Sequence, residues 1–345
     1  MVGPVAVGGG AKVSIQSMCN IPFSRFDELK QQALQLQRAG CEILRVSVPD
    51  NQSAQLFAKL KQSLSIPLVA DIHFDYRLAL ASIEAGADKI RINPGNIGQS
   101  HLHEVAQKAA ENHIPIRIGV NAGSLEKELL KKYGTPTPQA LAESAQKNVW
   151  LLEEYGFDDI IVSIKSSHVP TMVQAYKLFH QQSDYPLHVG VTEAGTLHTG
   201  IIKSAVGIGS LLLDGIGDTI RVSLTADPVE EIKAAKTLLT ACGLRKSGIE
   251  VVSCPTCGRT TVDTVGLANK IEQEFQDIKT PIKIAVMGCV VNGIGEAGEA
   301  DFGVTGANGT YILFKDKIIM KDIEQNRIFD VIRAEIERIE QNGHS

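Results

Sequence analysis

Short runs rich in valine and isoleucine alternate with longer amphipathic segments from the start of the chain to about residue 225. This alternation is typical of βα units that build a parallel sheet. Eight such runs are present, and eight repeats favour a closed (β/α)8 barrel of the TIM type. The predicted strands are Lys12–Met18, Glu42–Val48, Pro67–Ile72, Lys89–Asn93, Pro115–Asn121, Ile160–Lys165, Leu187–Thr192 and Thr219–Leu224.

An open, doubly wound sheet is the alternative fold for such a chain. These sheets usually have fewer strands, and they need a glycine-rich turn between the first strand and the helix that follows it. Here the glycines of Gly8–Gly10 precede the first predicted strand instead. The pattern therefore favours the barrel, with helices predicted between the strands, among them Asp27–Ala39 and Pro138–Tyr155.

The alternation stops after a helix predicted over Pro228–Ala241. Residues 242–248 are polar and contain glycine, which predicts a linker between a barrel domain (1–241) and a second domain (249–345). The length of 345 residues also favours one large domain plus a smaller one. We predict a small α+β domain with the order strand, helix (Val262–Phe275), strand (Ile282–Met287), glycine-rich stretch (Gly288–Gly309), hairpin-like pair and final helix (Ile323–Gln341).

Five of the predicted barrel strands end in a cation and a hydrogen-bonding residue that share one face, because strand side chains alternate with period two. The pairs are Arg45 with Ser47, Arg91 with Asn93, Arg117 with Asn121, Lys165 with Ser163, and Arg221 with Ser223. The outer face of a barrel strand must be apolar to meet the helices, so we expect these cations to point inward, where an anion must compensate them. A diphosphate suits this mouth, since arginine binds phosphate oxygens in pairs. The alternative is that each cation merely reaches solvent from a strand end.

Three more polar residues are expected at the same rim. Asp71 and His73, at the end of the third predicted strand, add an acid and a proton donor, although His73 could instead only support its neighbours by hydrogen bonding. Glu193 lies just past the seventh predicted strand. A carboxylate beside a polyanion is otherwise unfavourable, so we expect it to transfer protons or, alternatively, to orient the neighbouring cations.

The bulk composition excludes several classes of protein. With 43% apolar and 21% charged residues, the chain has the composition of a soluble globular protein. Its net charge of −5 gives no general attraction to nucleic acid or to an anionic membrane. No apolar run approaches the roughly 20 residues that cross a bilayer, and the N-terminus has no basic segment followed by an apolar one. We therefore expect a cytoplasmic protein.

Three of the six cysteines are spaced as metal ligands. Cys254 and Cys257 share one tight loop, and Cys289 follows in a glycine-rich context. Six cysteines in a chain of this length are too few for a disulfide scaffold. A structural zinc site needs four closed ligands, and the remaining candidates, Cys242 in the linker and His344 in the tail, are poorly placed.

A [4Fe-4S] cluster fits three cysteines better, because one of its four irons is then left for another ligand or for substrate. Glu296 is the carboxylate nearest to Cys289, and its oxygen is the kind of weak ligand that a substrate oxygen can displace. The alternative is that Glu296 is a solvated loop residue. No glycine-rich nucleotide fingerprint is present, since Gly207-Ile208-Gly209 lacks the third glycine, so electrons should come from an external flavodoxin or ferredoxin.

Several segments carry a likeness to one known family. They are Val7–Gly10 with Gln16–Met18, Arg91–Asn96, Arg117–Ser124, Thr192–Gly195, Ser253–Arg259 and Met287–Gly293. Through them the chain resembles the bacterial 4-hydroxy-3-methylbut-2-en-1-yl diphosphate synthases over nearly its whole length. It departs from the usual family sequence at Cys19–Phe23 and at Ile294, where the family usually has a threonine-rich stretch and a proline.

The resemblance implies a reductive opening of 2-C-methyl-D-erythritol 2,4-cyclodiphosphate in isoprenoid biosynthesis. Two electrons enter, water is lost, and the product is the linear (E)-4-hydroxy-3-methylbut-2-enyl diphosphate. The cluster ligands it implies are Cys254, Cys257, Cys289 and Glu296, and it places Asn292 among the substrate-binding residues. It also implies a homodimer in which the cluster domain of one chain closes over the barrel of the other.

Two other functions are compatible with parts of the sequence. One is a pterin-type group transferase on a similar barrel, with a zinc-bearing appendage that does no redox chemistry. The other is an electron carrier or metal-dependent interaction module without catalytic activity, which leaves the strand-end cations unexplained. Colour separates the first from the cluster enzyme, because zinc proteins are colourless and [4Fe-4S] proteins are brown.

Overall fold

The computed structural model describes residues 1–246, 248–293, 295, 298–315 and 317–342. The chain forms two compact units, Met1–Leu244 and Arg245–Ser345. No helix in these described ranges is both long and apolar enough to cross a membrane.

The first unit is a parallel eight-stranded barrel, as predicted. Its strands are β1 (Ser14–Met18), β2 (Ile43–Ser47), β3 (Leu68–Asp71), β4 (Lys89–Ile92), β5 (Ile116–Asn121), β6 (Ile160–Lys165), β7 (His188–Val189) and β8 (Thr219–Ile220). Strand β1 pairs with both β2 and β8, and a parallel bridge between Val162 and Leu187 joins β6 to β7 and closes the barrel.

Ten helices of this unit surround the barrel or lie in its loops, counted over residues 1–246. They are α1 (Phe26–Ala39), α2 (Asn51–Gln62), α3 (Tyr76–Glu84), α4 (Pro94–Ile97), α5 (Gln99–Glu111), α6 (Lys127–Tyr133), α7 (Pro138–Glu153), α8 (Val169–His180), α9 (Leu197–Leu213) and α10 (Pro228–Ala241). Several start on capping side chains that accept a hydrogen bond from the first turn, such as Asp50 before α2 and Asp227 before α10.

Strands β7 and β8 are shorter than the sequence predicts. They span two residues each, whereas the apolar runs suggested Leu187–Thr192 and Thr219–Leu224. The segments that follow β7 and β8 approach each other closely: a Cβ at Gly190 would lie 2.7 Å from the carbonyl oxygen of Arg221. The residues that follow both strands therefore form loops at the carboxyl end of the barrel.

The lower end of the barrel is closed by an N-terminal turn. Val2 and Val5 form an antiparallel bridge, and Val2 packs with the inward side chains Ile43, Val69 and Ile161. This apolar layer seals the end opposite the predicted mouth. The apolar residues on the outer faces of the strands pack against the helices in a separate, larger core.

The second unit is a five-stranded mixed sheet with the order β13-β12-β11-β10-β9. Its elements are β9 (Ile249–Ser253), α11 (Thr264–Glu274), β10 (Ile282–Met287), α12 (Val290–Gly293), β11 (Phe302–Ala307), β12 (Thr310–Phe314), β13 (Ile318–Ile323) and α13 (Ile328–Asn342). Strands β9, β10 and β11 are parallel neighbours, and β11, β12 and β13 form an antiparallel meander.

The sequence prediction was wrong in two parts of this unit. The glycine-rich stretch contains β11, because Gly303 and Gly306 serve packing: a Cβ at Gly303 would lie 2.5 Å from the Phe314 ring, and one at Gly306 would lie 2.5 Å from the Gly288 carbonyl oxygen. The start of the predicted last helix instead completes β13, and the helix begins at Ile328.

Candidate functional site

The barrel interior above the apolar seal is lined by buried cations. Arg45, Arg91, Arg117 and Lys165 are each at most 8% exposed, as the strand pattern predicts. Their neighbours of opposite parity, such as Val46 and Ile118, lie in the core between strands and helices. A fifth buried cation, Lys89, lies on the same face as Arg91, two residues earlier on β4.

Asp71 partly compensates this positive charge. Its carboxylate accepts a hydrogen bond of 3.1 Å from Arg91 Nη1 and lies 3.7 Å from Arg45 Nε. Burial raises the pKa of Asp71, but the combined attraction of nearby cations, Arg45 and Arg91 foremost, outweighs burial and lowers the pKa to about 2. Asp71 is therefore a charged anchor that orients two guanidinium groups.

Three other cations in the barrel interior have no carboxylate partner within residues 1–246. Within residues 1–246, Lys89, Arg117 and Lys165 form no ion pair; Lys89 donates to Gln16 Oε1 at 3.1 Å, and Arg117 donates to Ser163 Oγ at 2.9 Å. Burial, and then repulsion from the other cations, lowers the pKa of all three side chains. Such a group of charges favours a bound anion.

Two small or soft residues shape this group of cations. A Cβ at Gly119 on β5 would lie 2.8 Å from the Nε and Nη2 atoms of Arg91, so the glycine leaves room for that guanidinium. The thioether sulfur of Met18 accepts hydrogen bonds from Arg45 at 2.9 and 3.1 Å and lies 3.6 Å from Arg221 Nη1. Met18 therefore separates the guanidinium groups of Arg45 and Arg221.

Arg221 is held differently from the other cations. Its Nε and Nη2 atoms each donate a 3.2 Å hydrogen bond to the buried carboxylate of Glu231, on the first turn of α10. The sequence pattern predicts that Arg221 needs an outside anion, and it does not single out Glu231. The helix prediction contains Glu231, but nothing in the one-dimensional pattern pairs it with the end of β8.

The remaining predicted residues of the first unit lie at or near the rim. Asn93, Asn121 and Ser223 are half-buried, while His73 and Glu193 are exposed. His73 is near enough to Asp71 for its charge to lower the pKa of that carboxyl. Glu193 adopts a left-handed backbone with φ of 51°, a strained conformation for a residue that is not glycine and one that is frequent at functional sites.

His188 lies deep in the barrel and was missed from the sequence, although it stands on a predicted strand. Its Nδ1 lies 2.7 Å from Thr219 Oγ1, and its side chain is fully buried. Burial, followed by repulsion from Arg117, Lys165, Lys89 and Arg45, lowers the pKa of His188 well below 6.5. The folded protein therefore holds this imidazole in its neutral form.

This burial predicts a stability that depends on pH. As the pH falls below about 6.5, the unfolded chain protonates His188 while the folded chain does not, so the free energy of unfolding falls by up to about 1.4 kcal/mol per pH unit. Thermal unfolding of His188→Asn at pH 8 and 5.5 should show a smaller loss of Tm on acidification than the parent protein. The exposed His198→Asn variant should keep the parent loss; equal losses in His188→Asn and the parent would contradict the prediction.

In the second unit, the three predicted cysteine ligands lie around the carboxyl ends of β9 and β10. Cys254 directly follows β9, and Cys289 lies two residues past β10, its neighbour in the sheet. The Gly288 amide donates a 3.2 Å hydrogen bond to the Cys254 sulfur. The loop that carries Cys257 is tied to the same place by a 3.1 Å bond from the Thr261 amide to the Gly288 carbonyl oxygen.

Arg259 links two of these thiols electrostatically. Hydrogen bonds from its backbone and side chain lower the pKa of the exposed Cys257 thiol. The side-chain hydrogen bond with Cys257, followed by charge interactions with Cys257 and Cys289, raises the pKa of Arg259. A lowered thiol pKa favours the thiolate, the form that binds metal. The side chain of Asn292, on α12, and the whole of Glu296 lie outside the described residues.

These three thiols are a donor set that suits an iron–sulfur cluster. An iron–sulfur cluster spreads its cysteine ligands over different irons, and amide hydrogen bonds to its cysteine sulfurs, such as that from Gly288 to Cys254, tune its potential. The donor set is thus thiolate-rich, partly exposed and hydrogen-bonded.

Comparison with known proteins agrees with both units. Residues 1–236 match the GcpE TIM-barrel domain, and residues 250–338 match the GcpE protein C-terminal domain. The chain is 53% identical to the 4-hydroxy-3-methylbut-2-en-1-yl diphosphate synthase (flavodoxin) of Caldanaerobacter subterraneus subsp. tengcongensis, over 98% of this chain and 96% of the relative. It is 51% identical to the enzyme of the same name from Geobacter sulfurreducens, over 99% and 98%.

A solved structure supports the barrel fold alone. The dihydropteroate synthase of Stenotrophomonas maltophilia aligns with a TM-score of 0.51 at 13% identity, over 67% of this chain and 93% of the other. At this low identity the likeness carries no information about substrate. The likeness shows a similar barrel and gives the pterin-transferase alternative no other support.

Proposed function

This chain belongs to the GcpE family of 4-hydroxy-3-methylbut-2-en-1-yl diphosphate synthases, and from that premise we propose how its residues perform the reaction. The enzyme is an oxidoreductase of isoprenoid biosynthesis that opens 2-C-methyl-D-erythritol 2,4-cyclodiphosphate. The substrate gains two electrons and two protons and loses one water. The observation that carries the assignment of the site is the buried set Lys89, Arg117 and Lys165, which form no ion pair within residues 1–246.

The diphosphate binds among these cations at the carboxyl end of the barrel. Arg117 and Lys165 have no carboxylate partner within residues 1–246 and compensate its charge most directly, while Asp71 holds Arg45 and Arg91 in fixed orientations. At the rim, the side-chain amides of Asn93 and Asn121 and the hydroxyl of Ser223 orient the substrate by hydrogen bonding. Orientation of the guanidinium groups in advance raises affinity because little side-chain entropy is lost on binding.

Exposed residues at the rim of the barrel carry out the proton transfer. Glu193 is an exposed carboxyl group that forms no ion pair within residues 1–246, and its backbone is in the left-handed region. We assign it the proton transfer that accompanies loss of water. His73, beside Asp71, is a second proton donor at the same rim.

Cys254, Cys257 and Cys289 hold the iron–sulfur cluster, which we propose to be a [4Fe-4S] cluster. By resemblance Glu296 is its fourth ligand and Asn292 contacts the substrate. When bound, the cluster supplies the two electrons singly. The names of the relatives indicate flavodoxin as the electron donor, with ferredoxin as the alternative.

Phosphorus NMR tests the assignment. The cyclic diphosphate is incubated anaerobically with cluster-containing protein and a low-potential reductant, and a linear diphosphate signal is expected. A signal that stays cyclic while the cluster is demonstrably reduced would remove this substrate. Colourless protein that binds zinc in place of iron would instead favour the group-transferase alternative.

The homodimer is supported by the surface of α9. The outer face of a barrel helix is normally polar, but Ile202, Val206 and Leu213 are more than half exposed on this helix. Exposed apolar residues at such spacing form a stripe that a second copy of the chain would cover. We therefore place the proposed dimer contact on α9.

Light scattering after size exclusion checks this placement. Val206→Glu introduces a charge into the stripe and should shift the protein from dimer to monomer at micromolar concentration, because an unpaired charge in an apolar interface is costly. Trp150→Glu is the matched control, since Trp150 is similarly exposed (57% against 59%) on α7. A Val206→Glu protein that remains dimeric would move the contact elsewhere.

A further inference from the structure

Glu231 occupies an unusual place among the charged groups of the barrel. It lies on α10, outside the strands, yet its side chain is only 3% exposed. It accepts four hydrogen bonds: two from Arg221, one of 3.1 Å from Ser17 Oγ and one of 3.0 Å from the Leu224 amide. The carboxylate therefore joins β1, the end of β8 and α10.

These hydrogen bonds involve Arg221 and the backbone next to Ser223, and we assign both residues to substrate binding. Arg221 gives its Nε hydrogen and one Nη2 hydrogen to Glu231, and its Nη1 donates to the Met18 sulfur at 3.6 Å. The other Nη1 and Nη2 hydrogens, on one edge of the guanidinium, are left for another partner. The Leu224 amide directly follows Ser223, so the same carboxylate also fixes the backbone that carries this hydroxyl.

We propose that Glu231 is a positioning residue for substrate binding, which orients Arg221 and the backbone of Ser223 without contacting the substrate itself. This role rests on the proposed substrate site. It parallels that of Asp71, which holds Arg45 and Arg91 from within the barrel. Asp71 therefore orients two of the arginines and Glu231 orients a third. Arg117 has no carboxylate partner within residues 1–246, so its charge is available to the ligand.

The geometry makes Arg221 a directed contact. A guanidinium held by two parallel hydrogen bonds cannot rotate, so its free edge has a single direction. Without Glu231 the side chain could turn and offer other donors to phosphate, but at the entropic cost of being ordered on binding. The expected signature of Glu231 is therefore weaker substrate binding with little change in the chemical step.

Calorimetric titration of 2-C-methyl-D-erythritol 2,4-cyclodiphosphate into cluster-containing protein without reductant tests this role. Glu231→Gln keeps the shape of the side chain and should raise the Kd about tenfold, with KM rising in parallel and kcat within about twofold of the parent. The matched control is Glu230→Gln, the preceding residue, whose carboxylate pairs with Lys233 on the surface of the same helix. It should bind as the parent does.

A double variant separates positioning from general damage. Because Glu231 acts through Arg221 and, by the Leu224 amide, through the backbone of Ser223, the double variant Arg221→Met/Glu231→Gln should lose less binding free energy than the sum of the two single losses. Independent effects would instead add. Equal Kd values for Glu231→Gln and the parent, or additive losses in the double variant, would overturn the role. Failure of the parent protein to bind the cyclic diphosphate would instead remove the proposed substrate and, with it, the positioning role of Glu231.

Discussion

Replacing Cys289 with serine should remove the iron–sulfur cluster and lower turnover at least about a hundredfold. Loss of partners behind metal ligands already costs roughly 10- to 100-fold, and loss of a ligand should cost more. The thiol lies two residues past β10, beside the Cys254 loop, and the second unit has no cysteine besides Cys254, Cys257 and Cys289 that could replace it. Iron and sulfide per chain, visible absorbance and turnover measure the effect together.

Cys242→Ser is the matched control for this prediction. Cys242 ends α10 in the barrel unit, and burial raises the pKa of its thiol, so the thiolate needed for metal binding is disfavoured there. This variant should keep its iron and its activity. Full iron content in Cys289→Ser, or equal iron loss in both variants, would contradict the assignment of the cluster to the β9–β10 edge.

Replacing Glu193 with glutamine should leave the cluster intact and slow turnover by roughly 100- to 10,000-fold. General acid–base groups contribute factors of this size, and glutamine keeps the shape of the side chain while removing its proton chemistry. The proposed cluster ligands belong to the other unit, so the absorbance and iron content of Glu193→Gln should match those of the parent. Steady-state turnover and single-turnover product formation measure the effect.

The strained backbone at Glu193 requires a second variant. Its left-handed φ of 51° is easy for glycine, so Glu193→Gly removes the carboxylate while relieving the backbone. If the carboxylate matters, Glu193→Gly should be as slow as Glu193→Gln. Should Glu193→Gln turn over at the parent rate, the residue has no acid–base role, and a rise in KM alone would indicate that it only orients the substrate or its cations.

The alternation of apolar runs is sufficient by itself to predict the barrel. Parallel strands covered by helices on one side must be apolar on that side, so a polar residue that recurs with period two can only point inward. Arg45, Arg91, Arg117 and Lys165 follow this rule and are buried as expected. The same rule, extended two residues back from Arg91, would also have found Lys89.

The cysteine spacing likewise predicts where a cluster would bind. Two thiols in one short loop and a third after a neighbouring strand are typical of metal ligands. The sequence pattern did not determine loop lengths and strand ends. Glycines that suggested a loop serve close packing within β11, and the ends of β7 and β8 depend on how closely neighbouring chains approach. Sequence periodicity contains no measure of that distance.

What only the tertiary structure decided is which charges meet. Glu231 reaches Arg221 because α10 begins just after β8 and returns beside β1, and Met18 lies between two guanidinium groups because the barrel closes. Each of these contacts joins elements whose spacing along the chain follows no period. Periodicity determines the face on which a side chain lies. Its partner depends on which elements meet when the barrel closes, and that closure brings the cations of five strands together and orients three of them through Asp71 and Glu231.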